Sequence, residues 1–249
     1  MTNNNKPFLR DYTYKTIYTK DGNSIINHEH VIYISDFYIK KLRESPHFYI
    51  DGTFVNPKGF KQLIVILYYD QNLGRRFPGV FALINNKTEN GYKNLFKSIK
   101  YIITTENTKD LKLESYSTDF EIGLINALEE VFPKIRKIGC IFHYTRALRD
   151  KMKKLGLLSK EKIEESKKIL NEFFSLPYTI DDELTMLDNI CNKYEIYNIP
   201  FINYFRNQWK RFFQNGILIY KNLDKKFRSN SYIENYNRII KLKLSIWKI

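Results

Sequence analysis

Three acids in this sequence are candidates for one shared chemistry. Asp51 ends the apolar run in HFYIDGTFVNP (residues 47–57), Asp119 ends LKLESYSTD (111–119), and Glu234 lies early in SNSYIENYNRIIKLKLSIW (229–247). Carboxylates gathered at one point repel each other and lose hydration unless divalent cations neutralise them. A pair of Mg²⁺ ions roughly 3.5–4 Å apart would activate a water or a 3′-hydroxyl on one side and stabilise the leaving oxygen on the other, which is in-line phosphoryl transfer. Each acid also has a plainer use. Asp51-Gly52 suits a tight turn, Asp119 can cap a helix beginning at Phe120, and Ser231 with Glu234 fits the S-x-x-E capping box. The metal is favoured over three separate plain uses by the order of the elements that carry the acids.

That order begins with the helix-like ISDFYIKKLRES (34–45), which leads into a short strand over Phe48 to Ile50 that ends on Asp51. Two further β-like runs, KQLIVILYYD (61–70) and RRFPGVFALINN (75–86), flank the turn residues QNLG and predict an antiparallel meander. TENGYKNLFKSIKYIITTE (88–106) sets Tyr92, Leu95, Phe96, Ile99, Ile102 and Ile103 at helical spacing, as a crossover helix does. A fourth strand (111–119), a second helix (120–132) and a fifth strand, KIGCIFHY (137–144), follow, and the last runs into the basic helix TRALRDKMKKL. Three antiparallel strands and two helix–strand units predict an α/β fold, a mixed five-stranded sheet flanked by helices with the ribonuclease H-like topology. In that topology the fourth strand lies beside the first, so Asp119 approaches Asp51, and a helix packed on the same edge supplies Glu234.

From Ser159 to Gln214 the pattern is entirely helical. The expected organisation is a polar, irregular linker or stub over 1–33 and one domain over 34–249, with its core at 46–155 and 229–249 and an all-α insertion at about 156–228. In the final helix Ile233, Tyr236, Ile240, Leu244 and Trp247 form an apolar stripe. Asn237, Arg238 and Lys241 stand three, four and seven residues after Glu234, a face suited to a nucleic-acid backbone running past metals. Asn230 and Asn235 are placed to orient the glutamate, and Trp209 reads as core.

The composition, 43% hydrophobic and 16% aromatic, supports a packed interior and argues against disorder. A net charge of +14 and a pI near 9.5 favour a polyanionic partner, although a lysine-rich solvated surface would give the same numbers. Two cysteines, Cys140 and Cys191, make no disulfide framework. No apolar run has the length of a membrane span and the start has no secretion signal, so an intracellular protein is expected. On residue type alone Cys140 is a core thiol, His143 a helix-start histidine, and zinc is not expected, since two ligands are too few. Arg146, Arg149, Lys151, Lys153 and Lys154 form a basic face that either tracks phosphates or is merely solvated.

Four blocks resemble the catalytic domain of Mutator-like element (MULE) transposases: FYIDGTF at 48–54, STDFEIGLINALEEVFP at 117–133, CIFHYTRAL at 140–148 and SNSYIENYNRIIK at 229–241. The resemblance spans about Ile34 to the C-terminus. It implies a ribonuclease H-like core interrupted by helices before the last acid, with Asp51, Asp119 and Glu234 as an Asp-Asp-Glu triad. That triad would hold two Mg²⁺ or Mn²⁺ ions for DNA strand cleavage and transfer. It also implies that Cys140 and His143 match the family's Cys-x-x-His motif near the active site, with His143 acting on the scissile phosphate or flanking DNA. Double-stranded DNA, both transposon ends and target, is the implied partner, contacted by Arg146, Arg149, Lys153, Arg238 and Lys241. The implied setting is the nucleus, with a homodimer expected by resemblance. Full-length relatives usually carry zinc-containing DNA-binding modules that this sequence lacks. A separate end-recognition module, an element fragment, or a catalytically inactive DNA-binding descendant therefore stand as alternatives. A ribonuclease or Holliday-junction nuclease would use similar acids, but the long helical stretch before Glu234 argues against it.

Overall fold

The computed structural model describes residues 9–18, 25–53, 60–104, 111–179, 185–221 and 223–246. The chain divides into two compact units, Met1–Arg136 with Asn230–Ile249, and Lys137–Ser229.

The first unit is built on a mixed sheet. β3 (His47–Thr53), β4 (Gln62–Asp70) and β5 (Arg75–Ile84) form the antiparallel meander that the sequence predicts. β4 reads QLIVILYYD and is buried at every position, as befits a central strand covered on both faces. β6 (Ser115–Thr118) lies parallel to β3, with Tyr49 opposite Ser117.

The expectation of an irregular stub over 1–33 fails at 9–18 and 25–33. β1 (Leu9–Tyr18) and β2 (Ile25–Tyr33) form an antiparallel pair, and β2 joins β5. The sheet order is therefore β1-β2-β5-β4-β3-β6-β7, not a five-stranded arrangement. β7 (Arg136–Gly139) begins at the last residue of this part of the first unit. LRDYTYKTIY hides its strand character because Thr, Tyr and Ile, which favour extended backbone, are interleaved with charges.

The two faces of the sheet are covered differently. Phe48, Ile50, Ile64, Ile66, Tyr68, Val80 and Ala82 form one buried cluster with α1 (Asp36–Glu44), α2 (Glu89–Thr104) and α3 (Ile122–Val131). Alternation along β3 sends His47, Tyr49, Asp51 and Thr53 to the other face. There α8 (Ser231–Ile246) packs, with Tyr236 against Phe81 at 6.0 Å between ring centroids.

The second unit is mostly helical: α4 (Ile141–Lys154), α5 (Ile163–Thr179), α6 (Thr185–Glu195) and α7 (Ile199–Gln214). It begins before the expected insertion and includes α4. The helix α4 also starts earlier than predicted, because Ile141 to Tyr144 are its first turn and not the end of a strand. Tyr144, Leu148 and Met152 are buried at steps of four, so the helical period reaches back through a segment whose apolar residues look β-like. Asn198 caps α7 by accepting from the Phe201 amide at 2.9 Å. The core of the unit is aromatic: Trp209 meets Tyr144 edge-on at 5.0 Å, and Phe173 lies 4.5 Å from Phe205.

Candidate functional site

Asp51 does not turn the chain. It lies within β3 opposite Val65, and the strand runs on through Gly52 and Thr53, so the tight-turn reading of Asp51-Gly52 falls. A Cβ at Gly52 would meet the amide end of the Gln62 side chain, which would have to shift to make room. Asp51 is only 6% exposed, and its Oδ2 accepts a 2.7 Å hydrogen bond from Asn237 Nδ2 on α8. A carboxylate on an inner strand of a sheet, bonded to a buried amide, is more costly than a turn residue, and such cost is characteristic of functional positions.

Asp119 follows β6 directly. The parallel register runs from His47 opposite Ser115 to Tyr49 opposite Ser117, so Asp51 and Asp119 each lie two residues beyond the last paired positions. Asp119 is not the cap of α3, which begins at Ile122 with Glu121 before it. Its Oδ1 accepts from the Glu121 amide at 3.1 Å, a local turn ahead of the helix. Burial holds the Asp119 carboxyl above its usual range, while the Glu121 amide and Lys87 pull the other way. Nearby, the Tyr92 hydroxyl lies 2.8 Å from Glu121 Oε1 and 2.7 Å from the Gln62 side-chain amide, its single proton serving one of them at a time, and Lys87 stands 3.4 Å from Glu121. Sequence reasoning passed over this polar group because Tyr92 sits in an apolar helical stripe.

The helix α8 is tied to both strands. Asn230, just before its first residue, donates to the carbonyl oxygens of Ile50 (3.1 Å) and Ser117 (3.4 Å). Ser231 already lies in the helix, and the Ile233 amide bonds back to Asn230, so the capping box with Ser231 as cap is out of frame. Glu234 occupies the helix position four after Asn230 and three before Asn237; its side chain, like that of Lys241, lies outside the described residues. Asn237 is buried and bonded to Asp51, so its side chain is turned to the sheet and not to solvent, and Asn235 is exposed. Arg238 is exposed. Among the described residues no group of three or more His, Cys, Asp or Glu side chains is arranged to hold a metal.

His47 is a feature the sequence did not announce. Its Nδ1 meets Ser115 Oγ and its Nε2 meets Ser117 Oγ, both at 2.7 Å. It therefore joins β3 to β6 on the face that carries Asp51. Burial, with help from Arg76, holds its pKa well below the usual histidine value. The period-two alternation His47, Tyr49, Asp51 was the signal that would have placed it there.

The remaining predicted residues belong to the second unit. Cys140 is buried ahead of α4, and His143 is half-buried in its first turn, 5.9 Å from the Phe142 ring. Arg146, Arg149 and Lys153 are exposed on α4. Arg146 has Asp150 at 3.8 Å, and Arg149 lies over the Phe174 ring at 5.7 Å. Among the described residues no helix is long and apolar enough to cross a membrane.

With these positions in view, comparison with known sequences adds one finding. No curated protein matches the chain. The sequence model of the MULE transposase domain matches residues 47–147, which include Asp51, Asp119, Cys140, His143 and Arg146 and end before Glu234.

Proposed function

We propose that the chain carries a transposase catalytic domain of the MULE type, with a ribonuclease H-like core, acting on double-stranded DNA in the nucleus. The observation that carries this reading is the MULE transposase match over 47–147, supported by the parallel pairing of β3 with β6, the strands that lead to Asp51 and Asp119. The proposed metal ligands are Asp51, Asp119 and Glu234. The donor set fits, because hard carboxylate oxygens suit Mg²⁺ or Mn²⁺, and the desolvated Asp119 carboxyl calls for either a proton or a cation. Divalent cations bound there would supply activation of a water or 3′-hydroxyl and stabilisation of the leaving oxygen. The chain's own part is to hold Asp51 against the sheet through Asn237 and Asp119 in its turn through the Glu121 amide. In this reading Arg146, Arg149, Lys153, Arg238 and Lys241 attract the DNA backbone, and His143 acts on DNA near the cleaved bond.

The test is calorimetric Mn²⁺ binding to the intact chain with Asp51→Asn, Asp119→Asn and Glu234→Gln in parallel. Binding by the wild type that each substitution weakens about tenfold or more is expected. Absence of binding, together with retained DNA affinity, would instead identify a DNA-binding protein that has lost catalysis.

A further inference from the structure

Two asparagines seven residues apart, one just before α8 and one within it, bind neighbouring residues of β3. Asn230 Nδ2 reaches the carbonyls of Ile50 and Ser117, and Asn237 Nδ2 reaches Asp51 Oδ2. Both side chains are buried, so neither bond is exchanged cheaply for water. Backbone carbonyls only accept, so Asn230 must present nitrogen to Ile50 and Ser117, and Asn237 likewise donates through Nδ2 to Asp51 Oδ2. Residues i and i+7 lie on one side of a helix about 10 Å apart along its axis. A slip of one residue turns the helix by about 100° and breaks both bonds together.

We infer that Asn230 and Asn237 form a register clamp, positioning residues that fix α8 on β3 and so set where helix position 234 stands relative to Asp51 and Asp119. Asn230 joins β3 to β6 just ahead of both aspartates; Asn237 holds Asp51 itself. The consequence for metal binding rests on the function proposed above, whereas the clamp exists without metal.

Two measurements test it. In the metal-free, unaltered chain, the side-chain NH₂ protons of Asn230 and Asn237 should exchange with solvent much more slowly than those of the exposed Asn235, read by NMR. In calorimetry, Asn237→Leu should weaken Mn²⁺ binding by about 10–100-fold, the usual effect of removing a group that orients a ligand. In an Asp51→Ala background the same change should cost no further affinity, whereas a merely structural role would cost affinity in both backgrounds. Fast exchange at Asn237, or equal Mn²⁺ affinity with and without it, overturns the clamp. Slow exchange in a wild type that binds no Mn²⁺ supports the clamp and overturns the metal reading instead.

Discussion

At the residue scale, the buried polar groups carry the clearest consequences. His47 is neutral in the fold, with both ring nitrogens on serines. Its folded pKa lies well below the ordinary histidine value of 6.5, so the unfolded chain takes up the proton more readily. Its contribution to stability is present above pH 6.5 and is lost as pH falls below that value, at up to about 1.4 kcal/mol per pH unit. Unfolding followed from about pH 8 to about pH 5 should show this slope, and His47→Gln should flatten it. Asp119 has the opposite sign. A carboxyl held above its ordinary range favours the fold while protonated and disfavours it once pH rises through the raised value. In the metal-free protein Asp119→Asn should therefore raise the melting temperature near pH 7, by roughly 2–4 °C if the gain is about 1 kcal/mol, and leave it unchanged near pH 3. A function-bearing residue is one where such a trade of stability for activity is expected.

At the element scale, the central fact is that β3 passes through Asp51-Gly52 without turning. At Gly52 the amide end of the Gln62 side chain takes the space that a Cβ would need, and would have to shift to make room. Gly52→Ala should cost about 1–3 kcal/mol by overpacking, measured by urea unfolding, and Gln62→Ala in the same chain should return part of it. Tyr92 ties α2 to the loop after Asp119 through Gln62 and Glu121. Removing its hydroxyl in Tyr92→Phe should lower stability by about 1–3 kcal/mol, because the buried Gln62 amide and the half-buried Glu121 carboxylate lose the hydroxyl between them.

At the scale of the whole molecule, charge dominates. With a net charge of +14, the DNA binding proposed above should weaken steeply with salt through counterion release. On α4, Arg146, Arg149 and Lys153 are exposed. Replacing all three by alanine should reduce the slope of log K against log salt by about one unit for each phosphate they neutralise. An unchanged slope would show that this face is only solvated and that the charge acts elsewhere.

Local pattern was enough for the meander, the crossover helix α2 and the parallel placement of β6, because each has an unbroken period and clear turn residues. By type and order it also points to Asp51, Asp119 and Glu234 as one site, which the metal-binding measurement proposed above tests. It could not reveal β1 and β2, whose charges interrupt the apolar signal, nor the true start of α4, where a β-like run lies on a helical face. Nor could it say that Asn237 is bonded to Asp51. Residues 51 and 237 are 186 apart in the chain, and no spacing rule connects them. Only the packing of α8 on the sheet decides it, because a buried carboxylate takes its partner from whichever side chain the tertiary fold sets against it.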